Sequence, residues 1–253
     1  MGESRSRAGP LLITIAGFVA ALSMASLSAL AEPEECATPA ELMEGEAPLP
    51  HLAARLKAHQ PAKIVAIGGA STIGQAAGSA DLSYPHQLQL ILAKEYPNAA
   101  ITVLNKGVPR QSAQQNLDRF PADVFAEDPV MVIWETGIND AVRGTDVDDF
   151  AETLQTGVDQ LKNRAIDTVL VDMQFSRSAT ALINFDSYLT ALHRVGDLSD
   201  VYVLPRFELM RYWSEQNVFN FDDVAPDDRA RLAARVYACL AQKLAFVIKR
   251  AVE

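Results

Sequence analysis

The sequence predicts an α/β domain in the form of a three-layer α/β/α sandwich around a parallel five-stranded sheet, and three observations carry that prediction. Apolar runs of strand length recur at 64–67, 101–104, 130–134, 168–173 and 201–204. Between them the apolar residues return at helical spacing, as in Tyr84, Leu88, Ile91 and Leu92, or Val147, Phe150, Leu154, Val158 and Leu161. The runs stand about 30 to 35 residues apart, which is the length of a right-handed βαβ unit; repeated units of this kind make a parallel sheet covered on both faces. At 253 residues and 49% hydrophobic content the chain can bury a full core of this type and is not globally disordered.

Taken from the N-terminus, residues 8–31 contain no charge. Arg5 and Arg7 precede the apolar stretch Leu11-Leu12-Ile13-Thr14-Ile15-Ala16, and the run closes on Ala29-Leu30-Ala31. A basic start, an apolar middle and a small-x-small end read as a secretory signal over 1–31, cut after Ala31, giving a periplasmic or secreted protein without stable membrane insertion. An uncleaved anchor is the alternative, since about 20 apolar residues can span a bilayer, although Ser23, Ser26 and Ser28 dilute the run. Residues 32–60 form a lead-in broken by Pro33, Pro39, Pro48 and Pro50, helical only over 51–59, and the domain proper occupies 61–253. A final helix is expected from about Asp228 to Val252.

The formal charge is −10, and loss of the signal makes it one unit more negative. Such a body repels phosphate backbones and argues against a nucleic-acid partner. Both cysteines, Cys36 and Cys239, lie in the exported part, where an even pair reads as a disulfide contributing about 4 kcal/mol on the chain-entropy estimate; two unrelated buried thiols are the alternative.

Three segments that close apolar runs carry the chemistry. Gly68-Gly69-Ala70-Ser71-Thr72 follows the first strand, Asn105-Lys106-Gly107 the second, and Gly137-Ile138-Asn139-Asp140 the third. Ligands in open α/β sheets bind at the carboxyl ends of strands where the winding reverses. With the flavodoxin-like strand order 2-1-3-4-5, the loops bearing Ser71, Gly107 and Asn139 share one rim. Ser71 then offers a nucleophilic hydroxyl, while the Ser71 and Gly107 backbone N–H groups and the Asn139 amide offer donors for an oxyanion, worth about 3 to 4 kcal/mol each in a transition state. The competing readings are a phosphate cradle at Gly68 to Gly74, and plain strand ends and helix caps at Gly107, Asn139 and Asp140. The cradle lacks the Lys and Ser or Thr that a nucleotide loop needs, since Gln75-Ala76 follows, and no dinucleotide pattern exists. No cofactor or metal is expected.

On these segments the chain resembles the SGNH, or GDSL-type, hydrolase family over roughly residues 61–248. Ser71 stands at the family's nucleophile, Gly107 at its block II glycine, and Asn139 at its block III asparagine within Gly-Ile-Asn-Asp; Tyr84-Pro85 matches a common start of the first helix. The first block reads Gly69-Ala70-Ser71 in place of Gly-Asp-Ser. The resemblance implies the flavodoxin-like sandwich and esterase or lipase activity on a small-molecule or glycan ester, with an oxyanion hole at Ser71, Gly107 and Asn139.

The family's fourth block, Asp-x-x-His before the last helix, is degenerate. Asp222-Asp223-Val224-Ala225-Pro226-Asp227-Asp228-Arg229-Ala230-Arg231 places Ala230 or Arg231 at the histidine position, and neither is a base. The histidines of the chain are His51, His59, His86 and His193. His86, near the start of the helix after Ser71, is the one expected nearest the rim; His193 is expected away from it. The carboxylates Asp222, Asp223, Asp227 and Asp228 are a second replacement, or a solvated loop. Two functions therefore stand: a serine esterase of low activity, and an inactive relative that binds an acylated glycan or a protein partner. The sequence leaves the oligomeric state open.

Overall fold

The computed structural model describes residues 1–2, 34–222 and 224–253, so the expected signal segment with its cut after Ala31, and Asp223, lie outside the described residues. The body spans Glu32–Glu253. Its strands are β1 (Ala62–Gly68), β2 (Ile101–Gly107), β3 (Met131–Glu135), β4 (Asp167–Val171) and β5 (Tyr202–Leu204). Its helices are α1 (Pro50–Lys57), α2 (Ala70–Ile73), α3 (Tyr84–Glu95), α4 (Ala113–Leu117), α5 (Ile138–Arg143), α6 (Val147–Lys162), α7 (Arg177–Thr180), α8 (Asp186–Ser199), α9 (Arg206–Glu215) and α10 (Arg229–Val252).

All pairings are parallel and the sheet order is β2-β1-β3-β4-β5, as the βαβ pattern predicts. The central strands β3 and β4 are buried at every position, which is why they read as unbroken apolar runs rather than alternating ones. The helix α6 buries Phe150, Leu154, Val158 and Leu161 on one face, and Asp146 caps it by accepting from the Asp148 and Asp149 N–H groups.

Two boundaries differ from expectation. Pairing with β1 continues until Gly68 stands opposite Gly107, so Asn105-Lys106-Gly107 are the last residues of β2 rather than the loop after it. Conversely β4 stops at Val171, because Asp172 turns its carboxylate to the Phe207 N–H (2.7 Å) and to His193 Nε2 (2.9 Å).

The lead-in is fastened to the body. Asp167, the first residue of β4, accepts from the Leu52 N–H (2.7 Å) and meets His51 Nδ1 (2.6 Å) at the start of α1. Cys36 and Cys239 form the expected disulfide, tying the segment before α1 to the middle of α10 across a separation of 203 residues.

Candidate active site

The register of the sheet brings the ends of β1, β2 and β3 side by side, with Gly68 opposite Gly107 and Ile67 opposite Trp134. Ser71 lies in the first turn of α2, where a backbone N–H has no intrahelical acceptor. Gly107 allows β2 to end directly beneath that turn: a Cβ there would stand 2.3 Å from the Ile73 nitrogen and 2.8 Å from the Thr72 carbonyl carbon. Asn105 pins the same contact, donating to the Thr72 carbonyl (2.6 Å) and accepting the Gly107 N–H (3.0 Å). The Gly107 N–H, expected to face an oxyanion, is thus engaged by a side chain two residues back.

Asn139 opens α5 and its amide donates to the Gln111 carbonyl (3.0 Å), with its Nδ2 3.7 Å from where a Cβ on Gly69 would be. One amide hydrogen remains for another acceptor. The neighbouring Asp140 is the residue that caps, although it caps α4: its buried carboxylate takes the Ala113 N–H (3.0 and 3.2 Å), and burial holds its pKa above the ordinary carboxylate value. Ser71, Gly107 and Asn139 therefore gather on one rim around α2.

The groups around the Ser71 hydroxyl are ones the sequence reading missed. Arg206, at the start of α9, donates through Nη2 to Ser71 Oγ (3.0 Å), and the Ser71 hydroxyl faces Gln174 Oε1 (3.4 Å). The Tyr237 phenol, from α10, is also in hydrogen-bonding reach of Ser71. Arg206 is held in turn by Glu135 at the end of β3, Nη1 to Oε1 at 2.8 Å, and the other Glu135 oxygen accepts from the Thr72 hydroxyl (2.5 Å), which meets the Tyr84 phenol (3.3 Å). The pair is deeply buried, with side-chain exposures of 3% for Arg206 and 6% for Glu135. The available signal was a charged residue, Glu135, closing the apolar run Met131-Val132-Ile133-Trp134. A buried charge needs a partner, and Arg206 just beyond β5 supplies it.

No histidine is bonded to Ser71 among the described residues. Ala230 and Arg231 lie on the exposed first turn of α10, where Arg231 pairs with Asp228. His51 sits at the amino end of β4 on Asp167, while His193, contrary to expectation, reaches the rim end of the sheet, bonding the buried Asp172. Burial raises the Asp172 pKa, and the bond to Asp172 raises that of His193. Tyr237 is no substitute base, since burial pushes its phenol above the ordinary value and keeps it protonated at neutral pH.

A slot of about 280 Å³ lies between the segment after β4, α9 and the start of α10, and its lining includes Gln174, Arg206 and Tyr237, the groups around the Ser71 hydroxyl. A larger hollow of about 760 Å³ lies at the opposite, amino-terminal edge of β1 and β3, lined by His51, Arg55, Lys63 and Glu127. Ligands of open α/β sheets bind at the carboxyl edge, so the slot is the relevant cavity.

The parallel 2-1-3-4-5 sheet, with a serine on the first turn after β1 and a glycine and an asparagine at the next two strand ends, defines an SGNH-like hydrolase domain. The chain belongs to the non-GDSL lipase-like family, whose profile matches residues 35–253. The family name agrees with the Gly69-Ala70-Ser71 block, which lacks the aspartate. No protein of curated function matches the sequence. Among solved structures, a two-domain esterase active on acetylated mannans superposes with a TM-score of 0.65 at 19% identity, over 81% of this chain and 53% of that one, so this chain spans about half its length. A single-residue mutant of an acetyl-xylooligosaccharide esterase from Geobacillus gives 0.62 at 20% identity over 74% and 94% of the two chains. An alpha/beta hydrolase from the metagenome of Lake Arreo gives 0.61 at 18% identity over 76% and 96%.

Proposed function

We propose that this chain is an exported ester hydrolase acting on small or carbohydrate-linked esters, with Ser71 as the nucleophile and a low turnover. The observation that supports the reading is the contact of the Ser71 hydroxyl with the buried Arg206 guanidinium (3.0 Å), on the turn against which β2 ends at Gly107. In this reading Ser71 gives its proton to solvent and attacks the ester carbonyl carbon as the alkoxide; the C–O bond to the alcohol breaks, the alcohol leaves with a proton from water, and a second water cleaves the acyl-serine to the acid and free Ser71. The Arg206 charge, fixed by Glu135, favours the serine alkoxide electrostatically, in place of a histidine that removes the proton. The Ser71 N–H and the second amide hydrogen of Asn139 are the donors suited to the oxyanion. Acetyl esterases among the structural neighbours support a carbohydrate-ester substrate, and the charge-free segment before Ala31 and the Cys36–Cys239 disulfide support export. Hydrolysis of p-nitrophenyl acetate is expected to fall to background in Ser71→Ala; equal rates in both proteins would sink the reading.

A second reading, binding without turnover, is favoured by one feature: Ser71 is only 6% exposed, and Gln174 Oε1, the acceptor opposite its hydroxyl, is a neutral amide oxygen rather than a base. It predicts saturable binding of an acylated oligosaccharide by Ser71→Ala and wild type alike, with no hydrolysis by either.

A further inference from the structure

The three groups that surround the Ser71 oxygen, Gln174, Arg206 and Tyr237, are also walls of the 280 Å³ slot. The rest of its lining is largely apolar: Phe175, Met210, Phe221, Leu232 and Val236, with Ala233 between them. The slot is therefore polar at Gln174, Arg206 and Tyr237, the wall nearest Ser71, and apolar beyond. Its one carboxylate, Asp222, is already engaged by the Arg177 and Ser178 N–H groups (3.2 and 2.9 Å), while Arg229 brings a positive charge to the lining and Arg206 a guanidinium paired with Glu135 whose Nη2 faces Ser71.

The slot is open to solvent on one side, so its apolar wall rather than its volume bears on the occupant: an acetyl group covers little of that wall, whereas an acyl chain of about four to six carbons lays its methylenes along it. We propose that this slot receives an unbranched aliphatic acyl group of about four to six carbons, with its carbonyl or carboxylate end at Ser71 and Arg206, in preference to acetyl. For ester substrates this rests on the hydrolase reading; for binding of the acyl group it does not. A buried methylene favours association by about fourfold, so selectivity for chain length is the signature of the slot.

The test is a ligand-observed NMR titration of the full chain with sodium acetate, butyrate and hexanoate. Hexanoate is expected to bind at least tenfold tighter than acetate. Ala233→Trp, which fills the slot, and Leu232→Glu, which sets a carboxylate on its half-buried wall, are each expected to abolish that preference, with folding checked by circular dichroism. Equal affinities for the three acids in the wild type would overturn the proposal, as would a preference that survives in folded samples of both variants. Should neither variant fold, the wild-type series decides alone. The hydrolase reading fails separately, through unchanged ester turnover in Ser71→Ala, so hexanoate selectivity without such turnover leaves the slot standing and removes the nucleophile.

Discussion

Removing Arg206 as Arg206→Met strips the guanidinium from a pair whose side chains are 3% and 6% exposed and leaves the Glu135 carboxylate facing only the Thr72 hydroxyl. Breaking one side of a buried ion pair typically costs roughly 3–5 kcal/mol, because the remaining charge has lost both water and partner. For a domain of this size each kcal/mol moves the melting temperature by about 2–4 °C, so the expected loss is roughly 6–20 °C at pH 7. Exchanging both members, as Glu135→Leu with Arg206→Met, replaces the pair by apolar side chains and is expected to recover most of that loss. Urea unfolding of the four proteins of this double-mutant cycle measures the effect. A loss below about 1 kcal/mol in Arg206→Met, or a double variant no more stable than the worse single one, would refute the account of a buried, mutually dependent pair holding Ser71.

Other outcomes follow from the same geometry. Gly107→Ala drives a methyl into the α2 backbone at Ile73 and Thr72, so it should cost about 1–3 kcal/mol and depress esterase rates together with stability, read by melting and p-nitrophenyl acetate assays. With no histidine bonded to Ser71 among the described residues, log kcat/KM should climb through pH 6–9 without the plateau that a base titrating near 6.5 produces; such a plateau, lost in Ser71→Ala, would count against electrostatic activation by Arg206. The His193 pKa is raised by its bond to Asp172, so its charge contributes stability below about pH 6.5 and that contribution is lost as pH rises through the folded value. The stability gap between wild type and His193→Gln is therefore expected to be wider at pH 5.5 than at pH 8.5. Replacing both disulfide cysteines, as Cys36→Ser with Cys239→Ser, should lower stability by about 4 kcal/mol, seen as a melting temperature lower by roughly 8–16 °C.

The strand order and the rim were legible in the sequence because each rests on local signals: unbroken apolar runs for buried strands, glycines and a serine at their exits, and the spacing of βαβ units. Ser71, Gly107 and Asn139 could be assigned to one edge on that basis alone. The Arg206–Glu135 pair could not, since it joins residues 71 apart on β3 and α9, and no local pattern links them. Its one trace was Glu135 at the end of an apolar run. The hydrogen bond of the Gly107 N–H was hidden for a related reason: β2 runs three residues further than its apolar stretch, and the Asn105 side chain turns back onto the strand's last amide. His193 was placed away from the rim because helical position alone does not reveal that α8 sets its imidazole on the Asp172 carboxylate.

The direct measurement of the central claim, that Ser71 is a nucleophile held by Arg206 rather than served by a histidine, is intact-mass and peptide mapping after incubation with a fluorophosphonate. A single, slowly formed adduct on Ser71 is expected, accumulating faster at higher pH and vanishing in Ser71→Ala. An adduct at another residue, or no adduct on Ser71 after prolonged incubation at pH 9, would contradict that claim.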